Sequence, residues 1–424
     1  DMIFGSFHTG QSLAKSQQDK FYTLKNVDAF TNLGNAQCQY AFAVDSSTPN
    51  ENCILATAPN GDVYHFSTTS GKTWKQTGGV YSLVNTNANG AHTGCSKTAF
   101  GGYLFYTAGT KLGRFDLSTT WTDSWQTFTQ TPTWRPIMEL ENELLIGNGK
   151  YLASVDGALT YSDNVFDIPT QYTISALSSS GTYVIVGTTI GTSIYTCKSY
   201  LWDGFSTSWS DEDLIPENGV NFFIEVDNGT FAQCGTNGNI YQVNGVQFSL
   251  YTNIRETTSW NPYVSSVLIN RTVFGVNEKI FVMHRPTVAF SHGIVNEYTL
   301  TNGTVKGLTT SGTQLYVSTG SNINKISTSL ATAVIETPES IGNFVSTRVM
   351  YDTLDGSVGI ETKKNGGSYV SQTSRTNSKK NLIYFDGKIN DVNYYQSRIT
   401  LTPGAGNVVV KFIENVPSND QKAE

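Results

Sequence analysis

Residues 172–190 read Tyr-Thr-Ile-Ser-Ala-Leu-Ser-Ser-Ser-Gly-Thr-Tyr-Val-Ile-Val-Gly-Thr-Thr-Ile, and a close copy, Gly-Thr-Val-Lys-Gly-Leu-Thr-Thr-Ser-Gly-Thr-Gln-Leu-Tyr-Val-Ser-Thr, occupies 303–319. Ile174 matches Val305, Leu177 matches Leu308, Gly181 matches Gly312, Val184 matches Leu315, Val186 matches Val317 and Thr188 matches Thr319. All share one offset, 317 − 186 = 131, with no gap. Each copy encodes a strand, a tight Gly-Thr or Gly-centred turn, and a second strand that alternates apolar and polar residues. Such a hairpin cannot bury its own apolar face, so the pair predicts units stacked on copies of themselves.

Outward from this stretch, the position of Val186, taken as the second strand of each unit, is matched by Leu55, Tyr106, Ile146, Cys234 and Val317, with a faint copy near Lys279–Val282. Seven units between Leu55 and Val317 average about 44 residues, the length of a four-stranded propeller blade. A Gly-x-apolar-x-x-apolar strand, read as the third of its unit, recurs at Gly61–Phe66, Gly149–Val155, Gly238–Val243 and Gly293–Tyr298. Asp156-Gly157, Asp203-Gly204 and Asn244-Gly245 supply turns that suit positive φ. No segment sustains a helical period, so helix should be scarce.

The fold class expected is therefore all-β: a β-propeller of about seven blades followed by a small antiparallel β-sandwich. A ring of small sheets leaves few open edges, and its last blade needs a strand from the other end of the chain. Phe21–Val27 or Gln39–Val44, set beside Ala331–Ile335, could close it. The expected divisions are an N-terminal arm or closure strand over 1–30, the propeller over 31–341, the sandwich over 342–416 and a polar tail over 417–424. The repeat stops at Ser340-Ile-Gly342, and residues 342–424 carry ten Lys or Arg against eight Asp or Glu in a chain whose net charge is −7. Lys364-Asn-Gly-Gly367 and Pro403-Gly-Ala-Gly406 read as hairpin turns there.

Charged residues make up only 14% of the chain, well under the roughly 25% of an average soluble protein, while Gly (39), Tyr (22) and Phe (22) abound. That is the composition of turn-rich β structure. The acidic balance, with a pI near 5.3, offers no basic footprint for nucleic acid and no polybasic membrane patch. No apolar run approaches the roughly 20 residues that cross a bilayer as a helix, and no signal-peptide pattern is visible in the sequence as it stands. Cys38, Cys53, Cys95, Cys197 and Cys234 contain no Cys-x-x-Cys pair. They read as buried thiols, with a Cys38–Cys53 bridge as the alternative.

No assembled catalytic set emerges. Ser67-Thr-Thr-Ser-Gly-Lys-Thr-Trp74 resembles the Asp-box hairpin of sialidase-like propellers, with Thr69 where the box has its aspartate; that hairpin contributes no catalytic group, so the likeness speaks only for fold. Trp134-Arg135-Pro136-Ile137 distantly echoes a sialidase arginine motif, but the eight arginines are scattered. Asp211-Glu212-Asp213 with Glu217 is the densest acidic cluster and reads as a solvated turn, or alternatively as a calcium site. His8, His65, His92, His284 and His292 lack metal spacing, and neither a Gly-x-Ser-x-Gly elbow nor a phosphate-cradling Gly-Lys-Ser/Thr occurs. Trp121, Trp125 and Trp134 with Phe128 form an aromatic group that either packs between blades or stacks on sugars. Asn228, Asn270 and Asn302 head glycosylation acceptor patterns. Catalytic, cofactor-binding and metal residues are accordingly expected to be absent.

The segments Leu144–Gly157, Tyr200–Gly204 with Pro216–Asn221, and Gly238–Asn244-Gly245 resemble β-propeller virion proteins of tailed bacteriophages, and the C-terminal region is similar to the β-sandwich that often follows such propellers. The resemblance implies a non-enzymatic component of an extracellular virion, in the tail or attached to the capsid. It implies other virion structural proteins as partners in a symmetric multicopy assembly. A secreted or cell-surface propeller that binds a host glycan, with or without hydrolase activity, is the alternative. Neither nucleic acid nor membrane is expected as a partner.

Overall fold

A computed structural model describes residues 23–29, 35–191, 196–226, 229–258, 264–268, 271–284, 293–337, 339–341, 344–353, 355–376, 381–385 and 394–417. The described elements are all β-strands. Residues 1–22, His8, His292, Asn228, Asn270 and the tail from 418 lie outside the described residues.

The described residues form six four-stranded sheets, one ten-stranded sheet and one five-stranded sheet. The first sheet holds Cys53–Thr57, Val63–Ser67, Lys72–Thr77 and Val80–Thr86 in that order. The second runs from His92–Cys95 to Trp121–Thr127, the third from Ile137–Leu140 to Tyr161–Asp167, the fourth from Thr173–Ser180 to Asp211–Ile215, and the fifth from Val220–Val226 to Gln247–Asn253. A sixth set, Ser265–Leu268, Arg271–Val276, Lys279–His284 and Gly293–Thr299, begins the ten-stranded sheet. The seventh sheet takes Gly307–Ser311, Gln314–Ser318 and Ile323–Leu330, then adds Tyr40–Ser46 as its outer strand. First strands of neighbouring sets meet, as Cys53–Thr57 meets His92–Cys95 and Thr173–Ser180 meets Val220–Val226, and Gly307–Ser311 returns to Cys53–Thr57. This all-β arrangement is consistent with a β-propeller.

The founding hairpin appears as read: Thr173–Ser180 pairs with Tyr183–Thr189 around Gly181 (φ +63), and Gly307–Ser311 pairs with Gln314–Ser318 around Gly312 (φ +58). Ile174, Val184, Val186, Val305, Leu308, Leu315 and Val317 are all buried. Gly187 is required by packing, since a Cβ there would sit 2.8 Å from Val220 on the next sheet.

Two units are out of step with the sequence reading. Leu55 lies on the first strand of its sheet, so Gly61–Phe66 contributes to the second strand; in the sixth set Lys279–Val282 belongs to the third strand and Gly293–Tyr298 to the fourth. The second strand there is Arg271–Val276, whose Gly275 packs on Val305 as Gly187 packs on Val220. Cys53–Thr57, a first strand, and Leu104–Ala108, a second, are both buried on both faces, so periodicity cannot rank them within a sheet.

Closure also differs in its partner. Tyr40–Ser46 pairs with Ile323–Leu330, while Thr23–Lys25 pairs with Ala333–Glu336 and runs parallel to Gly293–Thr299. Ala333–Glu336 then joins Tyr394–Thr402, Ser357–Lys364 and Val370–Thr376, and Ser340–Ile341, paired with Tyr394–Thr402, completes the ten-stranded sheet. Opposite it, Val27–Asp28, Ala36–Cys38, Val409–Pro417, Phe344–Asp352 and Asn381–Phe385 form the five-stranded sheet. Val358, Ile360 and Ile399 of one share a buried cluster with Val349 and Ile413 of the other. The Thr347 hydroxyl bridges them through Ser397 Oγ (2.7 Å) and Tyr395 Oη (3.0 Å). Asn365 (φ +47) and Gly366 (φ +72) form the expected turn between Ser357–Lys364 and Val370–Thr376.

Val186 is wholly buried between the third and fourth sheets. Val186→Asp is expected to destabilise the protein by several kcal/mol, roughly 3 or more, by burying an unpaired carboxylate. Thermal unfolding checks this, and an unchanged midpoint would refute the packing assigned to this hairpin.

Candidate functional site

The first strands of the sets line an axial cavity of about 390 Å³. Their C-terminal ends bring charge and hydroxyl groups to one mouth: Thr57, Lys97, Thr98, Glu139, Glu225 and Thr310. Deeper walls include Trp134, Ser175, Asn221 and Phe222. Hydrogen bonds across the seams hold this wall together. Thr57 Oγ1 donates to Thr310 O (2.8 Å), Thr98 Oγ1 to Glu139 (3.3 Å), Ser178 Oγ to Glu225 (2.6 Å) and Ser175 Oγ to Val220 O (2.7 Å), while Thr272 Oγ1 donates to Glu225 O. Lys97 reaches solvent through the mouth but is surrounded by the wall; burial lowers its pKa and the Glu225 carboxylate partly restores it. Sequence patterns missed Lys97, Glu139 and Glu225, because lone charges at strand ends look like ordinary solvated turns.

The residues singled out in the sequence are dispersed by the fold. Arg135 is fully buried, donating to Gly109 O (2.8 Å), Gln130 O (2.8 Å) and Thr93 Oγ1 (3.2 Å) with its guanidinium on the Phe128 ring at 4.2 Å. It ties the second sheet to the third. Trp121 stacks on Phe115 at 4.1 Å and meets Tyr64 and Phe66 of the first sheet, Trp125 lies against Phe105 and under Arg114, and Trp134 faces the cavity. These rings therefore do not form one platform.

Asp211, Glu212 and Asp213 sit on an outer strand, where Lys198 pairs with Glu212. Glu217 is buried away from them, accepting from Asn239 Nδ2 (2.6 Å) and Tyr241 Oη (3.0 Å). Trp202 is buried with its indole donating to Ser206 O (2.6 Å), and Asp203 accepts from the Phe205 and Ser206 amides to form the turn. Asn302 Nδ2 donates to Asn324 Oδ1 (2.8 Å). All five cysteines are buried and free, which leaves Cys38 and Cys53 unbridged; burial pushes Cys38 up to about 11 and Cys197 to about 12.

The hairpin at Ser67–Trp74 completes itself from outside the motif. With Thr69 at the aspartate position, the Glu51 carboxylate from the preceding segment accepts from the hydroxyls of Ser67, Ser70 and Thr69. Desolvation pushes the Glu51 pKa up, but these hydroxyls and Lys72 outweigh it and hold the carboxyl below its ordinary value. Gly71 (φ +71) lets the turn press on Gly90, whose carbonyl oxygen would lie 2.3 Å from an added Cβ.

His65 and His92 are buried in the seams beside the first sheet. Neither His65 ring nitrogen has a hydrogen-bond partner among the described residues, and His92 Nδ1 meets Ser67 O at 2.9 Å. Burial holds His65 down to about 3 and His92 to about 4.

No family model and no curated protein matches the chain. Solved structures that resemble it include the computationally designed Ika8 protein (12% identity, 77% of this chain and 99% of that one, TM-score 0.43). Another is the extracellular domain of a putative hybrid two-component system, BT4673, from B. thetaiotaomicron (13% identity, 78% and 44%, TM-score 0.47). A third is YCF48 bound to D1 peptide (8% identity, 68% and 95%, TM-score 0.48).

Glu51→Ala removes three hydroxyl partners at once and is expected to cost about 1–3 kcal/mol in urea unfolding; no loss would show that the hairpin does not need its borrowed carboxylate. The histidines give a pH signature. Below the ordinary value of 6.5 the unfolded chain protonates them while the folded chain does not, so stability falls as pH drops from there toward 4. Each contributes a slope of about 1.4 kcal/mol per pH unit, so His65→Phe is expected to show a shallower acid loss by about that slope. Unfolding free energies measured across the window check it, and an unchanged slope would refute a neutral buried His65.

Proposed function

We propose that this chain is a non-enzymatic structural component of a bacteriophage particle, associated with the tail or capsid. In this reading a seven-bladed propeller and a C-terminal β-sandwich form one assembly and attachment platform. The likeness of residues 144–157, 200–204, 216–221 and 238–245 to phage propeller proteins supports the particle. The platform rests on one observation: Thr23–Lys25 stitches the sixth set of strands to Ala333–Glu336, so a single sheet runs from the ring into the C-terminal strands. Ten hydrogen-bonded strands resist hinge motion at that junction, and a part repeated around a symmetric particle needs a fixed angle between the surfaces it presents.

Electron microscopy of purified particles, with labelling by antibody to this chain, tests the reading. The expected result is a symmetric set of ring-shaped densities, each with a smaller β domain at a constant angle. Absence of the chain from purified particles would overturn the proposal.

A further inference from the structure

We propose that the axial cavity binds a neutral saccharide of one or two rings, a role independent of where the chain is assembled. The cavity, about 390 Å³, falls in the range of small-molecule sites. Several hydroxyl protons of its wall are already engaged by the protein. Thr57, Ser175 and Thr272 donate their hydroxyl protons to main-chain carbonyls, and Ser178 and Thr98 donate theirs to Glu225 and Glu139. The hydroxyls of Thr57, Thr98, Ser175 and Thr272, which line the cavity, are left with acceptor capacity, and the two carboxylates at the mouth add further acceptors. A ligand that fits must bring several hydrogen-bond donors.

Lys97 narrows the chemistry. Its ammonium, within the field of Glu225, adds donors at the same mouth and offsets part of the carboxylate charge that would draw an organic cation. With two glutamates against one lysine, the mouth is net negative and also disfavours an anion. A neutral polyol satisfies both signs: its hydroxyls donate to Glu139 and Glu225 and accept from Lys97. The apolar wall of Trp134, Leu177 and Phe223 offers a surface for the C–H face of a sugar ring. Glu225 is the central group, since its carbonyl and carboxylate already accept from Thr272 and Ser178 and so fix its direction.

Saturation-transfer NMR on the full chain tests the site with methyl glucoside, methyl mannoside, N-acetylglucosamine and lactose, beside tetramethylammonium and methyl phosphate. The expected result is saturation by at least one saccharide and by neither ion. Thr98→Trp, at an exposed position of the mouth, should abolish the signal with the melting midpoint retained. Glu225→Gln, which keeps an acceptor for Ser178, should weaken binding about tenfold, the equivalent of about 1.4 kcal/mol. The proposal is overturned by no saccharide signal from the wild-type chain, by a signal that survives Thr98→Trp, or by tighter binding of tetramethylammonium or methyl phosphate. If Thr98→Trp fails to fold, Glu225→Gln decides: affinity equal to wild type overturns it.

Discussion

The pairing of Tyr40–Ser46 with Ile323–Leu330 is the constraint on which the ring depends. The seventh sheet has three strands of its own, and without a fourth its outer edge would present unpaired backbone groups. The closing strand also brings chemistry to the seam. Asp45 accepts from Tyr81 Oη at 2.5 Å on the first sheet and pairs with Lys325 on the seventh, so one carboxylate fastens both sides of the closure. Thr57 repeats the link at the inner end by donating to Thr310 O at 2.8 Å. Loss of closure would therefore open the first strands that shape the axial cavity.

How much of this was legible follows from what each signal measures. Gly181 and Gly312 are turn residues with positive φ, and the apolar positions around them are inter-sheet core, so a near-identical hairpin could be read at both places. Leu55 misled because a first strand buried on both faces looks like a second strand, and nothing local says which comes first. The all-β class rested on alternation over the whole chain and survived that slip. The Asp-box likeness was informative in a different way: the motif lacks its acid, and the missing charge arrives from Glu51, outside the eight-residue window. A carboxylate needed by a turn need not lie within the turn.

The cavity was illegible for a related reason. Lys97, Glu139, Ser178 and Glu225 come from four different sheets, each at the same end of its strand, and their proximity exists only once the sheets form a ring. By contrast Arg135 was conspicuous in the sequence and proved to be a strut whose donors satisfy carbonyls between two sheets. Rare residue types draw attention in a low-charge chain, yet in this fold burial between sheets is as strong a reason for an arginine as chemistry is.

Charge at the junction between ring and C-terminal strands completes the physical picture. Glu297 is wholly buried and receives Arg271 at 2.7 Å, while the same guanidinium stands 3.8 Å from Asp28 of the five-stranded sheet. One cation cannot neutralise two buried carboxylates, and burial pushes Glu297 up to about 8, with Arg271 opposing the shift. Between its ordinary 4.5 and 8 the folded chain holds a proton that the unfolded chain has lost, so this group makes stability fall as pH rises. The two histidines act in the opposite sense below 6.5, and each group contributes about 1.4 kcal/mol per pH unit within its window. The histidines and Glu297 therefore act in opposite senses across mild acid, and the two histidine slopes outweigh the single carboxyl slope there.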